Sequence, residues 1–216
     1  MNETLFASPS LPTFLVASLI LTATPGPGVI YIVARTLAQG RRAGLASVTG
    51  VACGNLANAV AAAAGLAALI AASSLAFTIV KYVGAAYLVY LGIRMLGAGS
   101  TPATTAFGAS EVAPIFRQGF VVALLNPKTA LFFAAFLPQF IDPAASPLRQ
   151  SVFLGSLFVV IAVATDSLYV LVAGAAYPAL TRQGRRRYYA RFVGACVLIG
   201  LGVFAAVTGS HSNTRG

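Results

Sequence analysis

Long apolar stretches separated by short polar connections are the feature that most constrains this chain. A helix needs about 20 mainly apolar residues to cross the hydrocarbon core of a bilayer. Only 8% of the residues are charged, whereas soluble domains carry about a quarter. We therefore predict an all-α membrane protein with six transmembrane helices, forming a single domain over residues 1–216. The predicted spans are 11–34, 43–71, 75–96, 118–140, 151–173 and 190–208.

The basic residues indicate how the chain is oriented rather than what it binds. A formal net charge of +10 would point to a nucleic-acid partner in a soluble protein. Here the arginines fall in short connections, and an excess of Lys and Arg marks cytoplasmic loops. The first, third and fifth connections are thus expected in the cytoplasm, and no nucleic-acid partner is expected. The residues concerned are Arg35, Arg41, Arg42, Arg94, Arg117, Arg182, Arg185, Arg186, Arg187 and Arg191.

The two halves of the chain resemble each other in sequence. Residues 81–86, followed by Gly92, parallel residues 191–196, followed by Gly202. Three spans per half is an odd number, so the halves enter the membrane from opposite sides, as in the inverted repeats of many secondary transporters. The predicted parts are repeat one at 11–96, a flexible linker at 97–117, repeat two at 118–208 and a short polar tail at 209–216.

Proline and glycine interrupt the first and the fourth apolar stretch. Thr24-Pro25-Gly26-Pro27-Gly28 breaks the first, and Asn126-Pro127-Lys128 breaks the fourth, about one helical turn out of register with Thr24-Pro25. Each proline removes a backbone donor, and unpaired backbone groups at membrane depth are tolerated only beside protein partners or a watery cavity. Paired breaks in the two halves mark a transport site, so both breaks are assigned to substrate binding.

Polar side chains lie at similar depth in the neighbouring spans. Asp166 is the only acid within a predicted span, and an ionisable group at this depth indicates a function, here proton coupling. An ion pair with Lys128 that only joins two helices would explain it as well, and Lys128 alternatively extends to the inner surface. Asn55, assigned to the substrate site, shares a helix face with Asn58. The two either line the cavity or bond across helices.

These groups suit a small zwitterion. The N-termini of half-helices carry partial positive charge and attract a carboxylate, for which Lys128 is a second candidate partner. The freed carbonyls and Asp166 attract an ammonium group. The expected partners are a small amino acid, protons and the lipid bilayer, with a homodimer left open and no cofactor or metal.

Taken together, these motifs resemble the LysE/RhtB family of bacterial amino-acid exporters. The resemblance implies efflux of amino acids or derivatives, such as threonine, homoserine, leucine, cysteine or lysine, across the inner membrane, driven by the proton motive force. Family members often carry an acid and a histidine at the positions that resemble Asn55 and Asn58, so coupling through Asp166 is expected here. Besides the two breaks, the matching stretches are 38–45, 81–88, 117–120 and 136–140.

Three other functions are weighed against transport of an amino acid. A metal or inorganic-ion permease needs several carboxylates, imidazoles or thiolates, and the predicted spans hold one acid and no histidine. A membrane thiol-redox protein needs two cysteines that meet. Cys53 and Cys196 lie outside the breaks at non-equivalent places in the two halves. An intramembrane protease is weaker still, because no HExxH motif is present.

Overall fold

The computed structural model describes residues 11–63, 65, 74–97, 109–142, 146–181 and 184–207, and every regular element among them is helical. The absence of strands in this part of the chain agrees with the predicted all-α class. A π-helical turn, Phe132–Phe136, and a 3₁₀ turn, Leu137–Phe140, follow the sixth helix. The helices are α1 Leu11–Ala23, α2 Pro27–Gln39, α3 Arg41–Ala63, α4 Ser74–Gly97, α5 Ala109–Leu124, α6 Pro127–Leu131, α7 Pro147–Thr181 and α8 Gly184–Val207.

Both predicted breaks are present, and they bend the chain by almost the same angle. The bend is 46° between α1 and α2, and 48° between α5 and the segment that begins at Pro127. Pro27 and Pro127 each stand at the start of the second half-helix, where the missing N–H has no intrahelical partner to lose. Pro27 and Pro127 thus occupy the same position at a helix start, whereas the sequence comparison paired Asn126-Pro127-Lys128 with Thr24-Pro25, about one turn out of register.

Two to four spans can be identified in the described ranges. By length and composition α3 and α7 each cross a membrane, and the count rises to four if each bent pair is one span. Within the described ranges α4 and α8 contain shorter apolar helical stretches, Tyr82–Leu96 and Ala195–Phe204. Six spans thus remain a prediction, which these two helices of 24 residues would complete.

Two boundaries differ from the predicted ones. The second span was predicted to reach residue 71, but α3 ends at Ala63, and residues 66–73 lie outside the described part. The linker was predicted to end at residue 117, but α5 already begins at Ala109. Residues 98–108 of that linker, and the tail at 209–216, also lie outside the described residues.

The most extensive helix contacts join the two halves of the chain. Helix α3 lies along α5 and also packs on α7, while α7 lies along α1 and α2, and α4 lies along α8. Close approach depends on small residues, as membrane helices require. At Gly50 and Gly54 of α3, the carbonyl oxygens of Phe116 and Phe120 occupy the space of a side chain.

A reciprocal glycine contact joins α4 to α8. A Cβ atom at Gly92 would lie 2.9 Å from the carbonyl oxygen of Ala195, and one at Gly202 would lie 2.7 Å from that of Ala85. In the sequence match between the halves, Gly92 corresponds to Gly202 and Ala85 to Ala195. Contacts in which residue i meets j while the equivalent of j meets that of i are the signature of a two-fold axis. The contact therefore supports the predicted inverted repeat.

We predict that Gly92→Ala and Gly202→Ala destabilise the protein to a similar extent. Each added methyl group would press on a backbone carbonyl, and overpacking costs about 1–3 kcal/mol. Gly200→Ala is the matched control on α8, because no atom lies within 4 Å of a Cβ placed there. The melting temperature of the purified protein in detergent is the measurement. Equal melting temperatures for all three variants would contradict the reciprocal contact.

Candidate functional site

A small cavity of about 40 Å³ lies at the first break, enclosed by α1, α2, α3, α6 and α7. It collects predicted site residues from four separate helices and from the break itself. Asp166, the predicted coupling residue, also lines it. The predicted binding residues that it contains are Thr24, Gly26, Gly28, Asn55, Asn126 and Lys128.

The three predicted prolines do not line this cavity. Pro25 is exposed, while Pro27 and Pro127 face a second, smaller cavity of about 20 Å³ beside α4. Their contribution is to the backbone geometry of the breaks, because proline fixes φ and leaves no donor. No contact with the cavity therefore supports the assignment of these prolines to substrate binding.

Several lining residues were not predicted, although a spacing rule identifies some of them. Phe158 and Ala162 precede Asp166 by eight and four residues, so they share its helix face. Val51 precedes Asn55 by four residues in the same way. The remaining lining residues lie next to the breaks in the chain or within the turn that precedes or follows them: Leu21, Thr22, Val29 and Thr129.

The carboxyl end of α1 is held by two side chains from the other half of the chain. The Lys128 ammonium group donates hydrogen bonds to the carbonyl oxygens of Leu21, at 2.6 Å, and Thr24, at 2.5 Å. The Tyr169 hydroxyl donates to the carbonyl oxygen of Ala23, at 2.8 Å. The Lys128 side chain thus does not extend away to the membrane surface, and its ammonium group already has hydrogen-bond partners. It lies on the carbonyl groups that were expected to receive an ammonium.

Gly26 provides the space for this lysine side chain. A Cβ atom at Gly26 would lie only 3.2 Å from Lys128 Cδ, which is closer than ordinary van der Waals contact. Gly26 is also the residue before α2, and no side chain caps that helix there. The first backbone bond of α2 is Ile30 N–H to Gly26 O, at 2.9 Å. The N-terminus of α2 therefore faces the cavity at Gly28 and Val29 without a side-chain cap.

The second break is closed by its own side chains. Asn126 Oδ1 accepts from the Lys128 backbone N–H at 3.1 Å, and Asn126 Nδ2 donates to Thr129 Oγ1 at 3.0 Å. Asn58 Nδ2 donates to the carbonyl oxygen of Ala123, at 2.9 Å, in the last turn of α5. Of the two roles considered for Asn58, bonding across helices is the one observed. The N-terminal and C-terminal sides of this break each have an amide side chain as partner.

Asn55 differs from Asn58, although the two lie one turn apart on α3. Asn55 is 6% exposed and lines the cavity. Its Oδ1 is buried, and no donor in the described part of the chain reaches it. A buried acceptor without a partner costs about 1–3 kcal/mol, so a functional reason is expected for it. Asn55 is thus a cavity-lining residue whose side chain has an acceptor without a partner.

The cavity lining includes one acid and one base, which come from different helices. Asp166 is 5% exposed, on α7, and Lys128 reaches in from α6. Their charges interact electrostatically across the space. The two formal charges cancel. Because a zwitterion also carries no net charge, the cavity stays neutral overall when one binds.

A polar cluster closes the bundle on the side of the first connection. The Tyr31 hydroxyl donates to the carbonyl oxygen of Ile115 at 3.0 Å, and Arg35 donates to Gln118. The Arg35 guanidinium also lies 5.6 Å from the centroid of the Tyr31 ring. This cluster ties α2 to α5. Sequence reasoning missed it, because a tyrosine in an apolar helix carries no motif.

Aromatic rings pack around α1, α7 and the segment after α6. The ring centroids of Phe14 and Phe140 are 5.3 Å apart, and those of Phe133 and Phe158 are 4.9 Å apart. Phe158 also lines the cavity. The cavity therefore lies between an apolar aromatic cluster and the polar cluster of Tyr31, Arg35 and Gln118.

The described ranges contain no additional residues in favour of the two rival functions, a metal or inorganic-ion permease and a thiol-redox protein. No group of three His, Cys, Asp or Glu side chains there is close enough to hold a metal ion. Cys53 and Cys196 are free and exposed, on α3 and α8. Neither cysteine lines the cavity.

We predict that the two asparagines of α3 differ in their effect on stability when each is replaced by alanine. Asn58→Ala removes one of two donors to the Ala123 carbonyl oxygen, the other being the Asn126 backbone N–H at 3.1 Å, and should destabilise the protein by about 0.5–1.5 kcal/mol. Asn55→Ala removes an unpaired buried acceptor and should leave stability equal or raise it. The melting temperatures of the two purified variants decide this. A larger loss from Asn55→Ala would mean that Asn55 has a structural partner.

Comparisons with known proteins agree with these features. The family model described as LysE type translocator matches residues 19–209. A homoserine/homoserine lactone efflux protein of Salmonella typhimurium is 34% identical over 161 residues, covering 74% of this chain and 78% of the relative. A leucine efflux protein of Salmonella choleraesuis is 34% identical over 149 residues, covering 66% and 68%. An uncharacterized membrane protein of Vibrio cholerae is 36% identical over 144 residues, covering 66% and 70%. No solved structure matches.

Proposed function

Because the chain belongs to the family of LysE type translocators, we propose that it exports a small amino acid and binds it in the cavity at the first helix break. The chain is a multi-pass protein of the bacterial inner membrane, and it is a transporter rather than an enzyme. Two relatives are named as efflux proteins for homoserine and its lactone and for leucine. These names support a small neutral amino acid, or a derivative of one, as the substrate.

The difference between the two breaks is the observation that carries the proposal. The second break is satisfied by Asn126 and Asn58. The first presents a helix N-terminus without a side-chain cap to the cavity, and the lining of that cavity includes Asn55, whose buried Oδ1 has no partner. Partial positive charge at a helix N-terminus attracts a carboxylate. We assign the substrate carboxylate to the N-terminus of α2 and its ammonium group to Asp166 and the carboxyl end of α1.

The size of the cavity favours a small substrate. A buried water needs about 10–15 Å³ of such space, so a cavity of about 40 Å³ holds roughly three waters. That volume suits the carboxylate and ammonium groups of an amino acid, with Val29, Val51, Phe158 and Ala162 as the apolar wall. A large side chain needs a wider conformation of the same cavity.

Asp166 is the proposed coupling residue. It is the one acid of the cavity lining, and it is buried on α7. Protonation of Asp166 would leave the ammonium group of the substrate without its counter-charge, so proton entry from outside would favour substrate release. This exchange makes the proton motive force the driving force for export.

Alternating access is proposed to come from one half moving against the other. The reciprocal contact of Gly92 and Gly202 supports a two-fold relation of the halves. The polar cluster of Tyr31, Arg35 and Gln118 lies at the end of α2 that leads into the arginine-rich first connection. By the positive-inside rule this end faces the cytoplasm. We assign the cluster to the cytoplasmic closure of the pathway.

Transport is tested with inverted membrane vesicles, whose outer face is the cytoplasmic one. Labelled homoserine, threonine and leucine should be taken up in a saturable manner when the vesicle interior is acidified, and each should compete with the others. Vesicles that carry an empty vector are the control. Absence of saturable, competable uptake across an amino-acid panel would refute the proposed function.

We predict that Asp166→Asn abolishes transport driven by a pH gradient, because the amide cannot exchange a proton. The protein should still be present, folded, in the membrane. Asp142→Asn is the matched control, since Asp142 is exposed and lies outside the cavity. The measurement is initial uptake at fixed protein amounts with and without the gradient. Unchanged gradient-driven uptake by Asp166→Asn would show that Asp166 is not the coupling residue. The proposed substrate site would not be contradicted by that result.

A further inference from the structure

The ammonium group of Lys128 lies in an environment built for a primary ammonium. Two carbonyl oxygens at the end of α1, those of Leu21 and Thr24, accept its hydrogen bonds at 2.6 and 2.5 Å. Asp166 provides the counter-charge in the same cavity. Carbonyl groups at the end of a half-helix, together with an acid, are also what the ammonium group of an amino acid would need.

We propose that Lys128 is a tethered stand-in for the ammonium group of the substrate, which must displace it to bind. This inference rests on the proposed function, because it identifies which group of the substrate the carboxyl end of α1 receives. The same two carbonyl oxygens and the same acid then serve either cation. The protein's own ammonium group fills the subsite when no substrate is present.

The local structure lets the lysine side chain leave without moving its helix. The backbone of Lys128 is fixed, because its N–H donates to the Asn126 side chain that caps α6. The flexible four-carbon chain runs past Gly26, which has no side chain to block it. Lys128 is only half-buried, so its ammonium group has a short path to solvent.

Exchange of one cation for another solves a charge problem of the empty transporter. A buried acid that loses its partner is strongly destabilised. If the substrate left and nothing replaced its ammonium group, Asp166 and the α1 carbonyl groups would face an empty cavity. Return of Lys128 restores the counter-charge of Asp166 and the hydrogen bonds of the α1 carbonyl groups. The empty protein can therefore complete its cycle without a buried, uncompensated charge.

The geometry also defines the class of ligand. Two carbonyl oxygens close to one nitrogen require at least two N–H donors, which a primary ammonium has and a trimethylammonium lacks. An N-acetylated amino acid has neither the charge nor the second donor. Both kinds of derivative should fail to compete with the transported amino acid.

Chemical rescue tests the subsite directly. Lys128→Ala removes the part of the side chain that corresponds to n-propylammonium. Added n-propylammonium should therefore raise the melting temperature of the purified variant in a saturable way. Lys128→Met is the matched control, since it fills the space without a charge, and it should gain nothing from the amine. Wild-type protein, whose subsite is occupied, should show no shift, and n-propanol should not stabilise Lys128→Ala.

The outcomes separate this inference from the proposed function. An equal shift by n-propylammonium in wild type, Lys128→Met and Lys128→Ala, or no shift in folded Lys128→Ala, overturns the subsite. If rescue occurs, a transported amino acid should lower the apparent affinity for n-propylammonium. Rescue without this competition would show that the cation subsite exists but that the substrate does not bind there, which overturns the displacement of Lys128 by substrate. Saturable transport in the vesicle assay, together with a failed rescue, keeps the proposed function and rejects the role of Lys128.

A measurement on the wild-type protein applies even if Lys128→Ala does not fold. Displacement by substrate should expose the Lys128 amine to a water-soluble acylating reagent. Labelling, quantified by mass spectrometry of the peptide that carries Lys128, should increase with a transported amino acid. An equal concentration of Tris, a primary amine without a carboxylate, is the control for reagent consumption. Protection of Lys128 by the amino acid, or no change relative to Tris, would overturn the inference.

Discussion

The hydrogen bonds of the Lys128 ammonium group to the end of α1 are the interaction on which the site depends. In a membrane span, each broken helix leaves amides and carbonyls without intrahelical partners, and each needs a partner from protein or from a watery cavity. Lys128 provides that partner across the interface of the two halves. Its hydrogen bonds hold the start of α6 against the end of α1. The cavity is the space left around this contact, with Asp166 and Asn55 on its walls.

The two breaks solve the same problem in different ways. In the second, amide side chains satisfy the helix ends, and an amide keeps its donors and acceptors at any physiological pH. In the first, the partners are a mobile ammonium group and whatever binds at the N-terminus of α2. One break is therefore a fixed joint, and the other is exchangeable. The bend angles are nearly equal, although the backbone dihedral angles differ between Gly26, before α2, and Asn126, before α6.

Much of this arrangement follows from the sequence, because proline, glycine and ionisable residues are rare in apolar helices and their depth can be counted. The breaks, Lys128, Asp166 and Asn55 were all located in this way. The partner of Lys128 was not, since a long side chain reaches targets that spacing does not specify. The sequence did not reveal that Pro27, like Pro127, begins a helix, because only the observed helix ends show this. The Tyr31 and Gln118 cluster depends on packing between distant helices.

The asparagines of α3 show what a change of residue type does to such a site. The resemblance to the family implies an acid and a histidine at the corresponding positions of other members. A histidine in place of Asn58 would donate to the Ala123 carbonyl oxygen from either of two tautomers and would gain charge on acidification. The closure of the second break would then depend on pH. With Asn58 it does not, so titration in the cavity is confined to the pair of Asp166 and Lys128. Coupling through one acid and one mobile cation is the simplest scheme that these residues allow.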